Sequence, residues 1–504
     1  MVGENGTYDV VIIGAGVVGC AIARELSRYE LKIGVLEKEP DVGFGTSCRN
    51  SGVVHSGINY KPGTRRAVLD VRGNSMMDKI CSELKTPIKR IGKLTVALSE
   101  NDLPGLYKQR DQGLANGVPG MELLDNEAMQ KIQPGIEGIL GLWTPSSGII
   151  SPYGLTIALA ENAHTNGVDF CLEHRVDGIK RNEAKNIFEV EASDLSDGGR
   201  KKFFRARVLI NSAGLHSDEV SRMAGVGGGV IWACRGEYYV LDKRLDGSLK
   251  TLIYPVPGPN DPGLGIHLTP TVDGNILIGP SASYIPDEDR EDYRATAKIM
   301  QSLRMEGQRL LPGLASGDFI RNFSGNRPKQ TPPEVGGNAD FTIEETESPG
   351  FIHLQGIESP GLTSSPAIAV EVRGIVERRL EMKKRTNFIA ERRGFVGHFS
   401  HLPREARMDM IHAEPEYGEI ICRCEGVTKK EIRDAIENPL GARTLMSIKY
   451  RARAMMGRCQ GGFCIPRITR MLRDEYGYAP EDYRFRGGGA YMFTGVVRRR
   501  GASE

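Results

Sequence analysis

The chain has 504 residues, enough for two or three domains with a sizeable core. Its 66 Lys and Arg residues nearly balance its 64 Asp and Glu residues, and the net charge of +2 argues against a nucleic-acid-binding protein. The hydrophobic 39% of the chain is scattered, without an apolar run of about 18 residues, and the first residues are polar and glycine-containing, so we expect a cytoplasmic protein without a transmembrane helix or signal peptide.

The first predicted elements are a strand, a glycine turn, a helix and a second strand. The β-branched run at 8–13 is typical of a buried strand and leads into Gly14, Gly16 and Gly19, spaced as GxGxxG. In such a turn the glycines allow a tight bend, close approach to a pyrophosphate, and close packing of helix on strand. The second strand ends at Glu37, where a carboxylate can bond a ribose hydroxyl. This pattern predicts a Rossmann-like dinucleotide site with phosphates at the helix N-terminus.

A glycine- and serine-rich segment, 41–63, follows the second strand and is too irregular to form one strand or helix. In this place its backbone could lie along a flavin. His55 and Tyr60 are the side chains in it best suited to contact a substrate. Apolar residues on one face then predict a helix over 64–84.

The next part of the chain alternates short strands and helices, including a strand at 93–97 and a strand-rich stretch at 168–192. A further strand at 207–210 enters a turn of small residues that contains Ala213 and Gly214. This turn could return to the first glycine turn and close the cofactor site from the other side.

Four short strands within 238–278, separated by Pro, Gly and Asp turns, show the pattern of an antiparallel sheet. Laid over a flavin, such a sheet would form a closed, partly apolar substrate pocket. Arg327 is the first choice for the substrate anion, because a guanidinium holds a carboxylate or phosphate through two parallel bonds. Weaker candidates for substrate contact are Arg235, Tyr254, His267, Arg321 and Lys329.

A glycine- and proline-containing turn within 356–369 is predicted to open another helix. A helix N-terminus aimed at a flavin would stabilise the negative charge of the reduced ring through its dipole. The charged and weakly periodic residues 381–417 that follow are predicted to be a linker.

Four of the nine cysteines form two close pairs near the C-terminus: Cys422 with Cys424, and Cys459 with Cys464. Four thiolates in two pairs can hold a [2Fe–2S] cluster or a structural zinc. Pairs in zinc sites usually have about two to four intervening residues, so the single residue of the first pair favours the iron–sulfur cluster. Helices predicted at 431–436 and 465–476 would frame it. The isolated cysteines are expected to be buried thiols in a reducing compartment: Cys20, Cys48, Cys81, Cys171 and Cys234.

Several separated motifs together resemble the D-amino-acid oxidase superfamily of FAD-dependent oxidoreductases. They are GAGVVG with Glu37, TSCRNSGVVHSG, NSAGLHSD and GIESPGLTSSPAIA. Four further runs, RGEYYVL, LIYPVPGP, LGIHLTPTVDGNILIGP and RNFSGNRP, resemble two branches of it, the L-2-hydroxyglutarate dehydrogenases and the catalytic subunit of anaerobic glycerol-3-phosphate dehydrogenases. The pattern ICRCEGVT…GRCQGGFC resembles the bacterioferritin-associated-ferredoxin type of [2Fe–2S] domain, which in this superfamily extends anaerobic glycerol-3-phosphate dehydrogenase.

The resemblance implies an α/β protein that holds FAD and a [2Fe–2S] cluster. A Rossmann-like FAD-binding domain would take 1–90, 150–225 and 330–380, and an antiparallel-sheet substrate domain 91–149 and 226–329. The linker 381–417, a small helical iron–sulfur domain at 418–482 with the four paired cysteines as ligands, and a basic tail at 483–504 would follow. Besides Gly14, Gly16, Gly19 and Glu37, the implied FAD-binding residues are Lys38, Thr46, Ser47, Asn50, Ser51, Gly52, Ala213, Gly214, Gly325, Gly361, Leu362 and Thr363.

The implied chemistry is oxidation of a C–H bond beside a hydroxyl or amine, which needs a hydride acceptor and a base. FAD would be the acceptor, and the sequence has no second GxGxxG unit for a nicotinamide. His55 and His267 are the candidate bases, because histidine titrates near neutral pH, and the sequence does not choose between them. Together with Arg327, Tyr60 and Tyr254 they complete the candidate catalytic set.

The domain architecture favours sn-glycerol 3-phosphate, oxidised to dihydroxyacetone phosphate, as the reaction. In glycerol-3-phosphate enzymes of this superfamily an arginine commonly stands at the position of Asn59, and a lysine is usual where Ser359-Pro360-Gly361-Leu362 stands here. The segment HSGINYKPG resembles the hydroxyglutarate branch more closely, so L-2-hydroxyglutarate is the alternative substrate. An amine or imino acid is a third class, and a non-catalytic electron-relay subunit is the non-enzymatic alternative.

Two electrons that reach a flavin can leave singly through an adjacent cluster. We therefore expect a dehydrogenase that feeds a partner subunit in a hetero-oligomer, and contact with a membrane only through partners. The basic tail could dock such a partner or be a loose terminus.

Overall fold

The computed structural model describes residues 7–258, 265–311, 313–393 and 397–495. The chain divides into two compact units, one of Met1–Lys38 and Val42–Arg392, the other of Glu39–Asp41 and Arg393–Glu504. The boundary at Arg392 falls inside the segment predicted to be a linker. The expected lack of a signal peptide rests on residues 1–7, of which 1–6 lie outside the described residues. Residues 496–504 of the predicted tail also lie outside them.

The described part of the first unit contains two large sheets and a small one. In chain order the strands are β1 (Thr7–Ile13), β2 (Ile33–Glu37), β3 (Val53–Val54), β4 (Ile88–Lys89), β5 (Lys93–Ala97), β6 (Glu122–Leu124), β7 (Leu140–Thr144), β8 (Gly148–Ile150), β9 (Asp169–Leu172), β10 (His174–Asn182), β11 (Ile187–Asp194), β12 (Arg200–Asn211), β13 (Trp232–Leu241), β14 (Leu252–Pro255), β15 (His267–Pro270), β16 (Ile276–Gly279), β17 (Ser283–Tyr284), β18 (Phe319–Lys329), β19 (Thr342–Glu345) and β20 (Phe351–Gln355). The helices are α1 (Val17–Leu26), α2 (Arg65–Leu84), α3 (Leu103–Ala115), α4 (Asn126–Ile132), α5 (Pro152–Thr165), α6 (Ser217–Met223), α7 (Ala297–Leu310) and α8 (Gly361–Val376).

The first large sheet carries the predicted dinucleotide turn. Its strand order is β10-β11-β12-β1-β2-β9, with β20 beside β12 and β19 beside β20. The central strand β1 runs parallel to both neighbours, and Val10, Val11 and Ile12 in it are fully buried. Helix α1 packs against α5 and α8, and α2 also packs against α8. The predicted α/β, Rossmann-like fold is thus confirmed, and the local pattern at 8–13 locates its central strand.

The second large sheet corresponds to the predicted substrate sheet. Its order is β17-β13-β16-β15-β14-β5-β7-β6, with β18 also paired to β13. The neighbours are antiparallel except for β5 and β14, which run parallel. Strand β5 comes from much earlier in the chain, and no local pattern announces a pairing of this kind. It brings Lys93 into the sheet, opposite Leu252.

The second unit is small and mainly helical in its described part. Its elements are α9 (Arg404–Ala413), β21 (Ile420–Cys422), β22 (Val427–Thr428), α10 (Lys429–Ile436), α11 (Leu445–Ala452) and α12 (Ile465–Tyr476). The side chains of Thr428 and Glu431 cap the start of α10 reciprocally, and Pro466 lies in the first turn of α12. Both helices were predicted from the sequence.

Two parts of the second unit were not anticipated. Helix α9 lies within the predicted linker. None of its residues is buried, so its sequence lacks the apolar periodicity by which a helix is recognised. In the tail, the carbonyls of Arg484 and Phe485 accept hydrogen bonds from the backbone N–H groups of Leu445 and Met446, at 3.0 and 2.9 Å. This part of the tail is therefore packed against α11.

No helix in the described ranges is long and apolar enough to cross a membrane. All nine cysteines lie in the described ranges, and none of them forms a disulfide.

Candidate functional site

In the first glycine turn, Gly14 and Gly19 have the geometry predicted for a tight bend and for close packing of helix on strand. Gly14 has φ +99°, and a Cβ on it would lie 2.7 Å from the carbonyl oxygen of Ser212. A Cβ on Gly19 would lie 2.0 Å from the carbonyl oxygen of Gly14. The hydroxyl of Ser212 donates to the carbonyl of Ile13 at 2.9 Å. The turn that contains Ala213 and Gly214 therefore does return to the first glycine turn, as the sequence suggested.

Helix α1 presents its N-terminus at this turn. The residue before it, Gly16, has no side chain, and no acidic residue occupies the first turn. Ser47 accepts a hydrogen bond from the N–H of Val17 at 2.9 Å, and Glu37 accepts one from the N–H of Ala15 at 2.7 Å. The structure thus places the predicted ribose carboxylate beside the predicted phosphate turn. A helix N-terminus without acidic side chains fits a diphosphate.

Lys38, the next residue implied in cofactor binding, is tied to other side chains of the first unit. Its Nζ lies 3.0 Å from Nε2 of His216, and it forms an ion pair with Glu291. Its position after β2 is therefore fixed by these two partners.

The segment after β2 is held against β18. The hydroxyl of Thr46 donates to the carbonyl of Asn326 at 2.7 Å, and a Cβ on Gly325 would lie 2.1 Å from the carbonyl oxygen of Arg49. Within the segment, Asn50 donates to the carbonyl of Ser47 at 2.8 Å and accepts from the N–H of Gly52 at 2.9 Å. Ser51 is hydrogen bonded to Tyr238.

The N-terminus of α8 approaches the same segment. Gly361, Leu362 and Thr363 form its first turn, Pro360 precedes them, and no acidic residue lies in that turn. The hydroxyl of Thr363 accepts a hydrogen bond from the backbone N–H of His55 at 2.9 Å. Two helix N-termini with glycine close to each fit a long anionic dinucleotide such as FAD.

His55 and Tyr60 meet at one hydroxyl. The Oγ of Ser359 lies 3.3 Å from Nε2 of His55 and 3.2 Å from the hydroxyl of Tyr60. Nδ1 of His55 is buried and has no hydrogen-bond partner within the described chain. The sequence singled out both residues, and the structure places them together.

His267 and Tyr254 form a stacked pair. Their ring centroids are 3.8 Å apart and the planes differ by 17°. Nδ1 of His267 lies 2.9 Å from the carbonyl oxygen of Gly265, so this nitrogen carries the hydrogen and Nε2 is left as an acceptor. Nε2 and the Tyr254 hydroxyl are both buried, and neither has a hydrogen-bond partner among the described residues.

Both histidines are neutral at physiological pH. Burial, with the positive charge of Lys93 and the neighbouring His267, lowers the pKa of His55 to about 3. Burial, with the charges of Lys93 and Arg327, lowers the pKa of His267 to about 3. Burial raises the pKa of both Tyr60 and Tyr254. The tyrosines therefore remain hydrogen-bond donors. The histidines are neutral and can accept a proton, but they do not titrate near neutral pH as the sequence led us to expect, because they are buried.

Arg327 is the candidate cation without a carboxylate partner. Its guanidinium donates to the carbonyl of Ser281 at 3.2 and 3.3 Å and lies 3.9 Å from the sulfur of Cys234. Among the described residues no acidic side chain lies within ion-pair distance of it. Although burial lowers the pKa of Arg327, the nearby Tyr238 and Cys234 raise it overall, so it stays charged.

Most of the weaker cationic candidates form ion pairs with acidic side chains. Arg235 pairs with Asp292 at 2.7 Å. Lys329 and Arg66 both pair with the buried Glu358, each at 3.1 Å. Glu358 directly precedes Ser359, so this cluster holds the loop that reaches His55. Arg321 lies near the other end of β18, opposite Val240.

Two charged residues that the sequence analysis did not select also lie near this site: Lys93 and Asp70, which are 2% and 0% exposed. Lys93 opens a short strand and Asp70 belongs to a long amphipathic helix. Neither position carries a motif, and burial is visible only in the folded chain.

In the second unit the four cysteines meet as two spatial pairs that differ from the sequence pairs, Cys424 with Cys459 and Cys422 with Cys464. Cys422 and Cys464 are buried, whereas Cys424 and Cys459 are exposed. The sulfurs of Cys424 and Cys459 are 3.6 Å apart. Two thiolates at about 2.3 Å from one tetrahedral metal are separated by about 3.8 Å, so this pair fits a shared iron.

The buried pair and the backbone complete the arrangement. A hydrogen bond from Cys464 lowers the pKa of Cys422 to about 6, assisted by backbone N–H groups of Met455 and Glu425. The same bond raises the pKa of Cys464. Backbone N–H groups of Phe463 and Gly461 also face Cys459. Two thiol pairs surrounded by N–H donors fit the anionic sulfurs of a [2Fe–2S] cluster.

Comparisons with known proteins agree with both sites. The model of the DAO family, FAD dependent oxidoreductase, matches residues 9–373, and that of the BFD-like [2Fe-2S] binding domain matches residues 420–474. A glycerol 3-phosphate dehydrogenase of Caloramator mitchellensis is 38% identical over 495 residues, 97% of this chain and 99% of that protein. The mitochondrial L-2-hydroxyglutarate dehydrogenase of Homo sapiens is 29% identical over 421 residues, 75% of this chain and 90% of that protein. The structure of an L-alpha-glycerophosphate oxidase from Mycoplasma pneumoniae with FAD bound superposes with a TM-score of 0.70 at 28% identity, covering 77% of this chain and 98% of that one.

Proposed function

Because this chain belongs to the DAO family of FAD-dependent oxidoreductases, we propose that it oxidises the secondary hydroxyl of sn-glycerol 3-phosphate to give dihydroxyacetone phosphate. Its cofactors are FAD and, in the BFD-like domain, a [2Fe–2S] cluster. The observation that carries the choice of substrate is the match to a glycerol 3-phosphate dehydrogenase over 97% of the chain. The human L-2-hydroxyglutarate dehydrogenase matches 75% of it.

The chain's own residues would divide the work of the reaction. FAD, when bound, accepts the hydride equivalent from the carbon that carries the hydroxyl, and the cluster carries electrons one at a time. Arg327 would hold the phosphate, since no described acid lies within ion-pair distance of its guanidinium and Arg binds phosphate bidentately. The second large sheet would exclude water from the substrate.

His55 is the proposed base. Its backbone is bonded to Thr363 at the start of α8, the helix N-terminus proposed to face the flavin. It would take the hydroxyl proton as the hydride leaves, which balances the oxidation of an alcohol to a ketone. His267 Nε2 and the Tyr254 hydroxyl would accept and donate hydrogen bonds to the substrate oxygens, because both are buried with their bonding capacity unused among the described residues.

The remaining proposed residue roles concern the cofactors. FAD would be held by the two helix N-termini, Glu37, and the segment 46–52 that is fastened to β18. Cys422, Cys424, Cys459 and Cys464 would ligate the cluster. Electrons would leave through the cluster to a partner subunit of a cytoplasmic hetero-oligomer, which is the arrangement that a one-electron centre on a flavoprotein serves.

L-2-hydroxyglutarate is the second candidate substrate, and the surroundings of Asn59 favour it. The side-chain oxygen of Asn59 accepts a hydrogen bond from Gln109 at 2.9 Å, so a neutral amide pair stands where a cation would help bind a phosphate dianion. A carboxylate carries one negative charge where a phosphate dianion carries two, so it needs less positive charge at that point.

Anaerobic flavin reduction tests the proposal. Glycerol 3-phosphate, L-2-hydroxyglutarate and proline are each mixed with the oxidised holoenzyme, and the loss of flavin absorbance is followed. Glycerol 3-phosphate should bleach the flavin fastest, and a cluster signal in the electron paramagnetic resonance (EPR) spectrum should follow. Faster bleaching by L-2-hydroxyglutarate would favour the second candidate. A flavin that dithionite bleaches and none of the three compounds does would contradict both and support a relay subunit.

A further inference from the structure

Lys93 is a buried cation beside the proposed substrate site. It is the first residue of β5, is 2% exposed, and its Nζ lies 5.1 Å from the centroid of the Tyr254 ring. Tyr254 in turn stacks on His267. In the described parts of the chain no carboxylate lies within ion-pair distance of this ammonium group. A buried ammonium without a close counter-ion is costly, so its retention in the fold calls for a role.

Asp70, on α2, is an acid whose charge raises the pKa of Lys93. It is fully buried, and both of its carboxylate oxygens lack a regular hydrogen-bond partner among the described residues. Burial raises its pKa well above the usual value, whereas Lys93 and the backbone of Gly57 lower it. The two groups therefore interact electrostatically without lying at ion-pair distance, and the ammonium keeps hydrogens for another acceptor.

Unused polar atoms surround the same place. Nδ1 of His55, Nε2 of His267 and the hydroxyl of Tyr254 are buried, and the described structure gives none of them a hydrogen-bond partner. Lys93 lowers the pKa of both histidines, and Arg327 also lowers that of His267. His267 is therefore within electrostatic reach of two cations, one on β5 and one on β18. Such a set is complementary to an oxygen-rich anion.

We propose that Lys93 donates a hydrogen bond to an anionic oxygen of the substrate, as a second cation besides Arg327, and that Asp70 is its positioning residue. The inference rests on the proposed function, because it concerns the same site. The anionic oxygen belongs to a phosphate or to a carboxylate. Lys93 thereby supplies the positive charge that Asn59 does not.

The test compares Lys93→Met with Lys89→Met in the full-length holoenzyme. Lys89 lies on the neighbouring short strand β4 and is exposed, so it controls for the loss of one lysine. Steady-state kinetics with glycerol 3-phosphate and L-2-hydroxyglutarate give KM and kcat. Titration of the oxidised flavin spectrum with inorganic phosphate and with glutarate gives the Kd of two anions that are not oxidised.

Lys93→Met should raise KM and the Kd for the anion by about 10- to 100-fold, the range of a charge-assisted hydrogen bond, with a smaller change in kcat. A larger effect on phosphate and glycerol 3-phosphate would identify a phosphate contact, and a larger effect on glutarate and L-2-hydroxyglutarate a carboxylate contact. Lys89→Met should match the wild type. Unchanged KM and Kd in Lys93→Met would overturn the inference.

A second variant controls for misfolding, because Lys93→Met leaves the buried Asp70 without the nearby positive charge of Lys93 and could destabilise the protein. The double variant Lys93→Met with Asp70→Asn removes both charges and should show the same weak anion binding. Asp70→Asn alone removes the acid that positions Lys93 and raises its pKa, so it should weaken anion binding less than Lys93→Met does and move the rise of KM with pH to a lower pH. If the wild type oxidises neither alcohol, the proposed function fails, whereas the phosphate and glutarate titrations still decide the role of Lys93.

Discussion

The hydroxyl oxygen of Ser359 lies 3.3 Å from Nε2 of His55, so the loop that precedes α8 reaches the proposed base directly. The same loop begins α8 at Gly361, and Thr363 in its first turn binds the His55 backbone. The base is therefore positioned by the segment that is proposed to face the flavin. Displacement of this loop should affect cofactor and base together.

Replacement of each histidine should separate their roles. His55→Asn should lower kcat by about 10²- to 10⁴-fold, the usual contribution of a general base, with little change in KM. His267→Asn should mainly raise KM, because the proposed role of its Nε2 is a hydrogen bond to substrate. Anaerobic stopped-flow measurement of flavin reduction isolates the chemical step. A larger loss of reduction rate in His267→Asn than in His55→Asn would reverse the assignment.

The third glycine of the first turn should be essential for FAD. A methyl group in Gly19→Ala would lie 2.0 Å from the carbonyl oxygen of Gly14 and 2.7 Å from the hydroxyl of Ser212, so the turn must shift. Overpacking of this kind costs about 1–3 kcal/mol. We expect the purified variant to carry less FAD, measured from its absorbance. Gly374→Ala, at a helical position with nothing within 4 Å of the new Cβ, should keep a full complement.

Loss of one proposed ligand should abolish the cluster. Cys424→Ala removes a thiol that fits a metal position shared with Cys459, and the protein should lose most of its iron and acid-labile sulfide. Cys81→Ala removes a buried thiol outside the second unit and should retain both. EPR spectra after dithionite reduction provide the second readout. A cluster signal of normal intensity in Cys424→Ala would exclude this ligand.

The buried charge cluster at Glu358 should matter for stability. Glu358→Gln leaves Arg66 and Lys329 buried with one negative charge fewer, and breaking a buried pair typically costs about 3–5 kcal/mol. Thermal unfolding should therefore begin at a clearly lower temperature. The exposed Glu377→Gln, which loses only a surface contact to Arg373, should change stability by less than about 1 kcal/mol. Equal melting curves for the two variants would contradict the structural role of Glu358.

Anion binding should weaken at alkaline pH because of Lys93. Burial lowers the pKa of Lys93 from 10.5 to about 8, although Asp70 opposes the shift. The protonated form binds the substrate anion, so KM should rise with pH above about 8, by up to tenfold per unit. Of the other groups that face it, His55, His267 and Tyr254 do not change charge between pH 7 and 9 according to their shifted pKa values. Burial raises the pKa of the remaining one, Asp70, well above its usual value. In Lys93→Met the KM should stay flat over this range.

Local patterns made the cofactor region readable from the sequence. The strand at 8–13, the glycine turn and Glu37 are close in sequence, and each residue type has a steric or hydrogen-bonding reason to be there. The helix predicted at 64–84 differs from α2 by one residue, because Thr64 is its N-cap. The paired cysteines were also recognisable, since their spacing is itself the signal.

The proposed substrate site could be recognised from the sequence only in part, because it depends on contacts between distant strands. Arg327, Tyr254 and His267 could be nominated by residue type. Their contacts are visible only in the fold: Arg327 donates to Ser281, Tyr254 stacks on His267, and His267 is bonded to Gly265. Lys93 and Asp70 were missed, since a lysine at the start of a strand and an aspartate in a helix are usually solvated. The pairing of β5 with β14 is what buries that lysine.

The unequal burial of the paired cysteines makes one side of the cluster vulnerable to air. Cys422 and Cys464 are shielded, while Cys424 and Cys459 are open to solvent. Peroxide and dioxygen reach the outer sulfurs first, and thiolates that are accessible are the ones converted to sulfenic acid. Damage would therefore begin at the outer pair, and the inner pair would keep its thiolates longest.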